Sequence, residues 1–174
     1  DLLASKEVDG ILITHVTDTQ EESAYFLTLT VNSDNPVVLT GSMRPSTALS
    51  AEGPLNLYNA VALAAHPDAK GYGVMVVMND EIHSAHDVKK MITTPVQTFQ
   101  SPQEGLIGTV IFGETLFFHK PHGIHTTKSE FSVAGLKTLP RVDIVYAAAD
   151  SSPDIIDLLV KAGSKGIVIA GVGD

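Results

Sequence analysis

Residues 10–40, GILITHVTDTQEESAYFLTLTVNSDNPVVLT, predict a strand, a helix and a second strand in succession. The run at 10–14 is short, apolar and rich in β-branched residues, which is typical of a strand buried on both faces. Thr19 and Glu22 fit a capping box at the start of the helix that follows. Residues 36–40 form the second apolar run. A β-α-β succession of this kind predicts parallel strands covered by helices.

The same alternation continues downstream of the second strand. A helix is predicted at 54–66, because Pro54 suits a first helical turn and apolar residues recur at helical spacing. The residues expected along its buried stripe are Leu55, Tyr58, Ala62 and Ala65. Residues 73–78 predict a third buried strand, and two short apolar runs around Gly113 predict a hairpin at 109–118.

The final third of the chain predicts a change of domain. Residues 120–139 are polar and lack helical or strand periodicity, which indicates a linker. After it, a strand at 142–147, a helix closed by Gly163 and a strand at 166–170 restart the alternation. We therefore predict an α/β fold with a mostly parallel sheet and helices on both faces over residues 1–119, followed by the start of a smaller α/β domain at 140–174.

Composition excludes several classes of function. Eleven Lys and Arg residues against twenty Asp and Glu residues give a net charge of −9, and no segment concentrates basic residues, so we expect neither nucleic acid nor an anionic membrane as a partner. No apolar run reaches the ~20 residues that a membrane helix needs. Cysteine is absent, which removes disulfides, thiolate ligands and cysteine nucleophiles.

Both ends of the chain lie beside predicted elements, so we expect a piece of a longer protein.

Polar side chains follow each of the three predicted parallel strands. Thr17 and Asp18 follow the first, Ser42 follows the second, and the adjacent Lys89 and Lys90 come a short segment after the third. Ligands bind beyond the carboxyl ends of the strands in such sheets, and an amine beside a carboxylate can activate a hydroxyl. The same residue types are also common as helix caps, so spacing alone leaves both interpretations open.

Metal binding is a weaker alternative at this edge. His83 and His86 are three residues apart and could share a helix face, but no third ligand has suitable spacing. We therefore predict no metal at this position.

Long motifs resemble the bacterial L-asparaginase type of the asparaginase/glutaminase family. Residues 13–27, ITHVTDTQEESAYFL, resemble the family segment THGTDTxEETAYFL, and residues 36–61 resemble its GxMRP loop and GPxNLYNA helix start. Residues 76–102, VVMNDEIHSAHDVKKMITTPVQTFQSP, resemble the block that carries a catalytic lysine, and residues 166–173, GIVIAGVG, resemble a strand and loop of the smaller domain. The similarity runs in order along nearly the whole chain.

The resemblance implies a flavodoxin-like amino-terminal domain. It also implies hydrolysis of L-asparagine to L-aspartate and ammonia through a threonine acyl-enzyme, without a metal or cofactor and with glutaminase as a side activity. Thr17 matches the family's second catalytic threonine, and Lys90 matches the lysine that assists it. Asp18 matches the residue that binds the substrate's α-amino group, and the backbone carbonyl of Ser42 would lie near the substrate's amide end. The usual nucleophile would precede Asp1.

The resemblance also implies a homotetramer whose sites lie at chain interfaces, so residues 1–174 made alone should be inactive. A periplasmic or secreted location is expected, with the cytoplasm as the alternative. Val16 replaces the glycine that usually precedes Thr-Asp, and a β-branched residue would misplace Thr17 if only glycine fits there. Two other hypotheses therefore stay open: a non-catalytic or impaired relative, and an amidohydrolase of another amino-acid amide, such as the related glutamyl-tRNA amidotransferase subunit.

Overall fold

The computed structural model describes residues 2–173, and the chain divides into two compact units between Ser132 and Val133. This division lies inside the segment predicted as a linker, 120–139. The first part of that segment belongs to the first unit, where Thr126–Lys128 forms a short 3-10 turn and Thr126 is buried. The early part of the predicted linker is therefore ordered chain packed on the first unit.

The first unit contains a mixed six-stranded sheet. Its strands are β1 (Ile11–Thr14), β2 (Val37–Thr40), β3 (Val74–Met78), β4 (Glu81–Ser84), β7 (Gly108–Ile111) and β8 (Glu114–Phe117), while β5 (Lys89–Lys90) and β6 (Phe99–Gln100) pair separately. The sheet order is β1-β2-β3-β4-β7-β8. Pairing is parallel from β1 to β3 and antiparallel from β3 to β8, so β1, β2, β3 and β7 share one direction.

Helices cover both faces of this sheet. Helix α1 (Gln20–Thr30) buries Ala24 in one cluster with Leu39 and Val76, and helix α2 (Gly53–Ala64) buries Leu63 in a second cluster with Val77. Successive residues of β2 and β3 contribute to opposite clusters, as the alternation of side chains along a strand requires. The predicted α/β class and the doubly covered sheet are confirmed, and the sheet is mostly parallel in that four of its six strands share one direction.

The buried face of α2 differs from the prediction. Tyr58 is 58% exposed, whereas the fully buried residues of the helix are Asn56, Asn59, Ala60 and Leu63. The predicted stripe is wrong because the helix instead buries two asparagines, whose side chains form hydrogen bonds with residues that follow β2 and β3. Asn56 Nδ2 donates to Gly41 O at 2.9 Å, and Asn59 Nδ2 donates to Asp80 Oδ1 at 2.8 Å. The apolar pattern alone could not show those hydrogen bonds.

The predicted capping box at α1 is also wrong. Thr19 has a left-handed backbone with φ 61° and makes no capping hydrogen bond through its side chain. An N-cap threonine normally uses an extended backbone, which aims its hydroxyl at the N–H groups of the first turn. The chain therefore turns sharply at Thr19, immediately after the two candidate site residues.

The second unit has the predicted β-α-β order. Strands β9 (Val142–Tyr146) and β10 (Gly166–Ala170) pair in parallel, and helix α3 (Asp154–Lys161) connects them. Gly163 follows the helix with φ 93°, as expected of a glycine that ends a helix. None of the helices within residues 2–173 is long and apolar enough to cross a membrane.

Candidate active site

Three candidate residues meet beyond the carboxyl end of β1. Lys90 Nζ donates a hydrogen bond to Thr17 Oγ1 at 2.9 Å and forms an ion pair with Asp18 Oδ1. The contacts join residues more than 70 positions apart in the chain. The Lys90 side chain is 14% exposed and that of Asp18 is 84% exposed. The amine is therefore sheltered, while the carboxylate is open to a ligand.

The strand pair β5–β6 positions Lys90. Lys90 is the register partner of Phe99, which is 1% exposed, and Met91 N donates to Thr98 O at 2.9 Å. Side chains alternate along a strand, so the neighbouring Lys89 has the opposite orientation and is exposed. This alternation distinguishes two lysines that sequence spacing alone could not separate.

Asp87 anchors the segment that precedes Lys90. Its carboxylate, which is almost fully buried, accepts hydrogen bonds from Glu104 N at 2.7 Å and from Gln103 N at 3.0 Å. His83, buried in β4, lies nearby in sequence, and its Nδ1 is 2.9 Å from Ser101 Oγ. Asp87 lies within the motif of residues 76–102, but it was not predicted as a site residue. Its role depends on backbone N–H groups sixteen residues away, which no local pattern reveals.

The loop after β2 is held by Glu52. The Glu52 carboxylate accepts hydrogen bonds from Met43 N and from Arg44 N, the latter at 3.3 Å. Ser42 Oγ in turn donates to Arg44 O at 3.1 Å. Glu52 was not predicted from the sequence. It stands between a loop and the start of a helix, where a carboxylate often accepts hydrogen bonds from nearby backbone N–H groups.

Ser42 lies on the loop after β2, and its hydroxyl bonds to Arg44 O instead of to Thr17, Asp18 or Lys90. Together with Val16 and Thr14, it lines an open cavity of about 450 Å³. Gly41 makes the close approach of the two loops possible, because a Cβ there would lie 2.4 Å from His15 O. The structure therefore places Ser42 at the rim of the same sheet edge as Thr17.

Val16 does not disturb the local backbone. Its side chain is 71% exposed, and Val16 is not among the residues with positive φ. The position therefore does not need a conformation that only glycine adopts. Thr17 reaches Lys90 with valine in place, so the expected conflict does not arise.

The two histidines considered as metal ligands do not share a helix. His83 lies in β4, and His86 follows the end of that strand, with its ring 5.6 Å from that of Tyr25. Within residues 2–173, no three side chains of His, Asp or Glu are grouped so that they could hold a metal ion.

The comparison with known families agrees with the motifs. The family described as "Asparaginase, N-terminal" matches residues 1–122. The chain belongs to the asparaginase family. It is 54% identical to L-asparaginase 2 of Bacillus subtilis (strain 168) over 173 residues, which cover 99% of this chain and 46% of that protein. It is 50% identical over 174 residues to a glutaminase-asparaginase of Pseudomonas fluorescens biotype A, covering all of this chain and 48% of the relative.

A solved structure shows the same fold. The crystal structure of a probable cytoplasmic L-asparaginase from Campylobacter jejuni superposes with a TM-score of 0.92 at 49% identity, covering 95% of this chain and 54% of that one. The chain therefore spans about half the length of the relatives that it matches. As a member of this family it is related to hydrolases named for asparagine and glutamine amides.

Proposed function

We propose that this chain supplies the Thr17–Asp18–Lys90 part of an active site that hydrolyses L-asparagine to L-aspartate and ammonia. The observation that carries the proposal is the pair of contacts from Lys90 Nζ to Thr17 Oγ1 and to Asp18 Oδ1. A hydroxyl beside a sheltered amine and a carboxylate is the arrangement that activated-nucleophile chemistry requires. Because the relatives are about twice as long, the activity is proposed for a protein of their full length.

Each residue has a distinct part in the proposed reaction. In its amine form, Lys90 accepts the proton of Thr17 Oγ1, and Thr17 can then take a proton from an attacking hydroxyl or water. As an ammonium, Lys90 donates back to the same oxygen, which is the contact seen here. A nucleophilic threonine outside residues 1–174 forms a bond to the amide carbon, and the C–N bond breaks as the leaving nitrogen accepts a proton and departs as ammonia. Water then hydrolyses the acyl-enzyme to L-aspartate and the free threonine hydroxyl. Exposed Asp18 binds the substrate's α-ammonium group through a charge-assisted hydrogen bond.

Glutamine is the alternative substrate. One extra methylene in a substrate changes discrimination by roughly 1–3 kcal/mol, so the two amides are hard to separate by size alone. The cavity lined by Val16 and Ser42 has a volume of about 450 Å³, which would accommodate either side chain. We propose asparagine as the main substrate with glutaminase side activity, the Ser42 backbone carbonyl lying near the substrate's amide end, and no metal or cofactor.

The proposal extends to domain organisation, assembly and location. Residues 1–119 would form the incomplete amino-terminal asparaginase domain, 120–139 a linker and 140–174 the start of the carboxyl-terminal domain. A homotetramer with sites between chains would complete the machinery. A periplasmic or secreted location is proposed, with the cytoplasm as the alternative that the Campylobacter jejuni protein's description favours.

A chimera tests the proposed function. Residues 1–174 would replace the matching segment of Bacillus subtilis L-asparaginase 2, with the unaltered enzyme as positive control, and ammonia release would be measured. We expect turnover of L-asparagine, and about tenfold to 100-fold lower kcat/KM for succinamate, which lacks the α-amino group that Asp18 would bind. Asp18→Asn should reduce the difference in kcat/KM between L-asparagine and succinamate. Equal rates with both amides would contradict the role of Asp18.

The same chimera separates the other two hypotheses. If Val16→Gly raised kcat/KM by orders of magnitude, the impaired-relative hypothesis would replace the proposal. If another amino-acid amide were hydrolysed faster than both asparagine and glutamine, the third hypothesis would replace it.

A further inference from the structure

A second cavity lies at the opposite end of the parallel strands from Thr17. It has a volume of about 650 Å³ and is lined mainly by the segment 120–128 together with Asp34 and Lys70. Asp34 precedes β2 and Lys70 precedes β3, so the cavity lies at the amino ends of these strands. Substrate chemistry at the carboxyl ends does not use it. We call it the basic cavity.

The basic cavity has the opposite charge to the chain that contains it. Lys70, Lys120 and Lys128 line it together with a single acidic residue, Asp34, although the chain as a whole carries a net charge of −9. Within residues 2–173, none of the three lysines forms an ion pair. The Asp34 carboxylate already accepts a hydrogen bond from Thr127 Oγ1 at 2.8 Å. The cavity lining therefore carries three exposed lysines against one carboxylate, and Lys120 Nζ also lies 5.5 Å from the centroid of the Tyr72 ring.

One wall of the basic cavity is fixed to the core. The His125 ring packs on Gly73, where a Cβ would lie 2.8 Å from His125 Nδ1. The same Nδ1 is 2.9 Å from the hydroxyl of Thr126, which is buried. Lys128 N donates to His125 O at 3.0 Å, so the backbone that bears Lys128 is held as well. Burial and the neighbouring positive groups lower the pKa of His125, in keeping with the positive field.

We propose that the basic cavity binds a small, soluble, phosphate-bearing anion. Lysine ammonium groups act as compact point charges and are common ligands of phosphate oxygens. The volume falls within the range of about 300–1,000 Å³ that small-molecule sites occupy. A recess of this size suits a compact anion, whereas a lipid surface or a nucleic-acid backbone needs an extended basic face.

Calorimetric titration of the 174-residue chain with sodium pyrophosphate, at constant ionic strength in chloride, tests the proposal. We expect one saturable site, with affinity about threefold to tenfold weaker for Lys120→Ala and for Lys128→Ala. The matched control is Lys6→Ala, which removes the same charge from an exposed position in the same unit. Its affinity should equal that of the unaltered chain, and circular dichroism checks that each variant is folded.

Two results would overturn the proposal. The first is non-saturable binding, or an equal loss in Lys6→Ala, either of which would indicate diffuse attraction by the whole surface. The second is binding to vesicles of phosphatidylcholine and phosphatidylserine without binding of pyrophosphate, which would make a lipid headgroup the source of the phosphate. The proposal is independent of asparagine hydrolysis, so either can fail alone.

Discussion

Replacement of Asn56 by alanine should destabilise the first unit and loosen the edge of the sheet that carries the candidate site. Asn56 is 2% exposed, donates to Gly41 O at 2.9 Å and accepts from Asn79 N at 3.0 Å. Alanine would leave both backbone groups without a partner. A buried polar group without a hydrogen-bond partner costs about 1–3 kcal/mol. Gly41 and Asn79 are only half-buried, so the cost for each lies near the low end of that range, and the two together lower the free energy of unfolding by about 2–3 kcal/mol.

Urea unfolding followed by circular dichroism measures this change. With a slope of about 2 kcal/mol per molar urea, the midpoint should fall by about 1–1.5 M. Val61→Ala on the same helix is the matched control, because Val61 is 52% exposed. A surface substitution of this kind should change the unfolding free energy by no more than about 0.5 kcal/mol. Equal midpoints for the two variants would refute the claim that α2 is held through its asparagines.

Three further outcomes are expected. Asp87→Ala should lower the free energy of unfolding by about 2–4 kcal/mol in the same urea assay, because two backbone N–H groups lose a charged acceptor; an unchanged midpoint would contradict its anchoring role. His125 has a pKa below its ordinary value of 6.5 when folded, so the unfolded chain binds more protons and stability should fall as pH drops through 6.5 towards the folded-state pKa. The urea midpoint should therefore decrease as the pH falls across this range. This pH dependence should disappear in His125→Gln and remain in His122→Gln. Gly113→Ala should cost about 1–2 kcal/mol, read from its thermal midpoint, since φ is 86° and the new Cβ would crowd Tyr58; no change would show that the turn relaxes freely.

The periodic elements could be predicted from sequence because local pattern and tertiary environment agree there. Apolar runs predicted β1, β2 and β3, and the restart after the linker predicted β9, α3 and β10. Strand β4 was missed because EIHS is short and half polar, and it joins the sheet only through pairing with β3 and β7. The buried face of α2 was missed for a related reason, since Asn56 is buried where it forms hydrogen bonds with the distant backbone groups of Gly41 and Asn79.

The candidate site shows the same division between local and distant information. Thr17, Asp18 and Lys90 came from long motifs, and the structure brings the three together. Asp87 and Glu52 were missed because each binds backbone N–H groups of a loop, and a sequence does not show which N–H groups lack partners.

Comparison of two adjacent lysines tests the central claim most directly. In the chimera with Bacillus subtilis L-asparaginase 2, kcat/KM for L-asparagine would be measured for Lys90→Met and Lys89→Met. We predict a fall of about 100-fold to 10,000-fold for Lys90→Met, because a proton-transfer group in contact with Thr17 is lost. For Lys89→Met the change should stay within about threefold, because that side chain is exposed. Near-normal turnover by Lys90→Met, or an equal loss in both variants, would contradict the account.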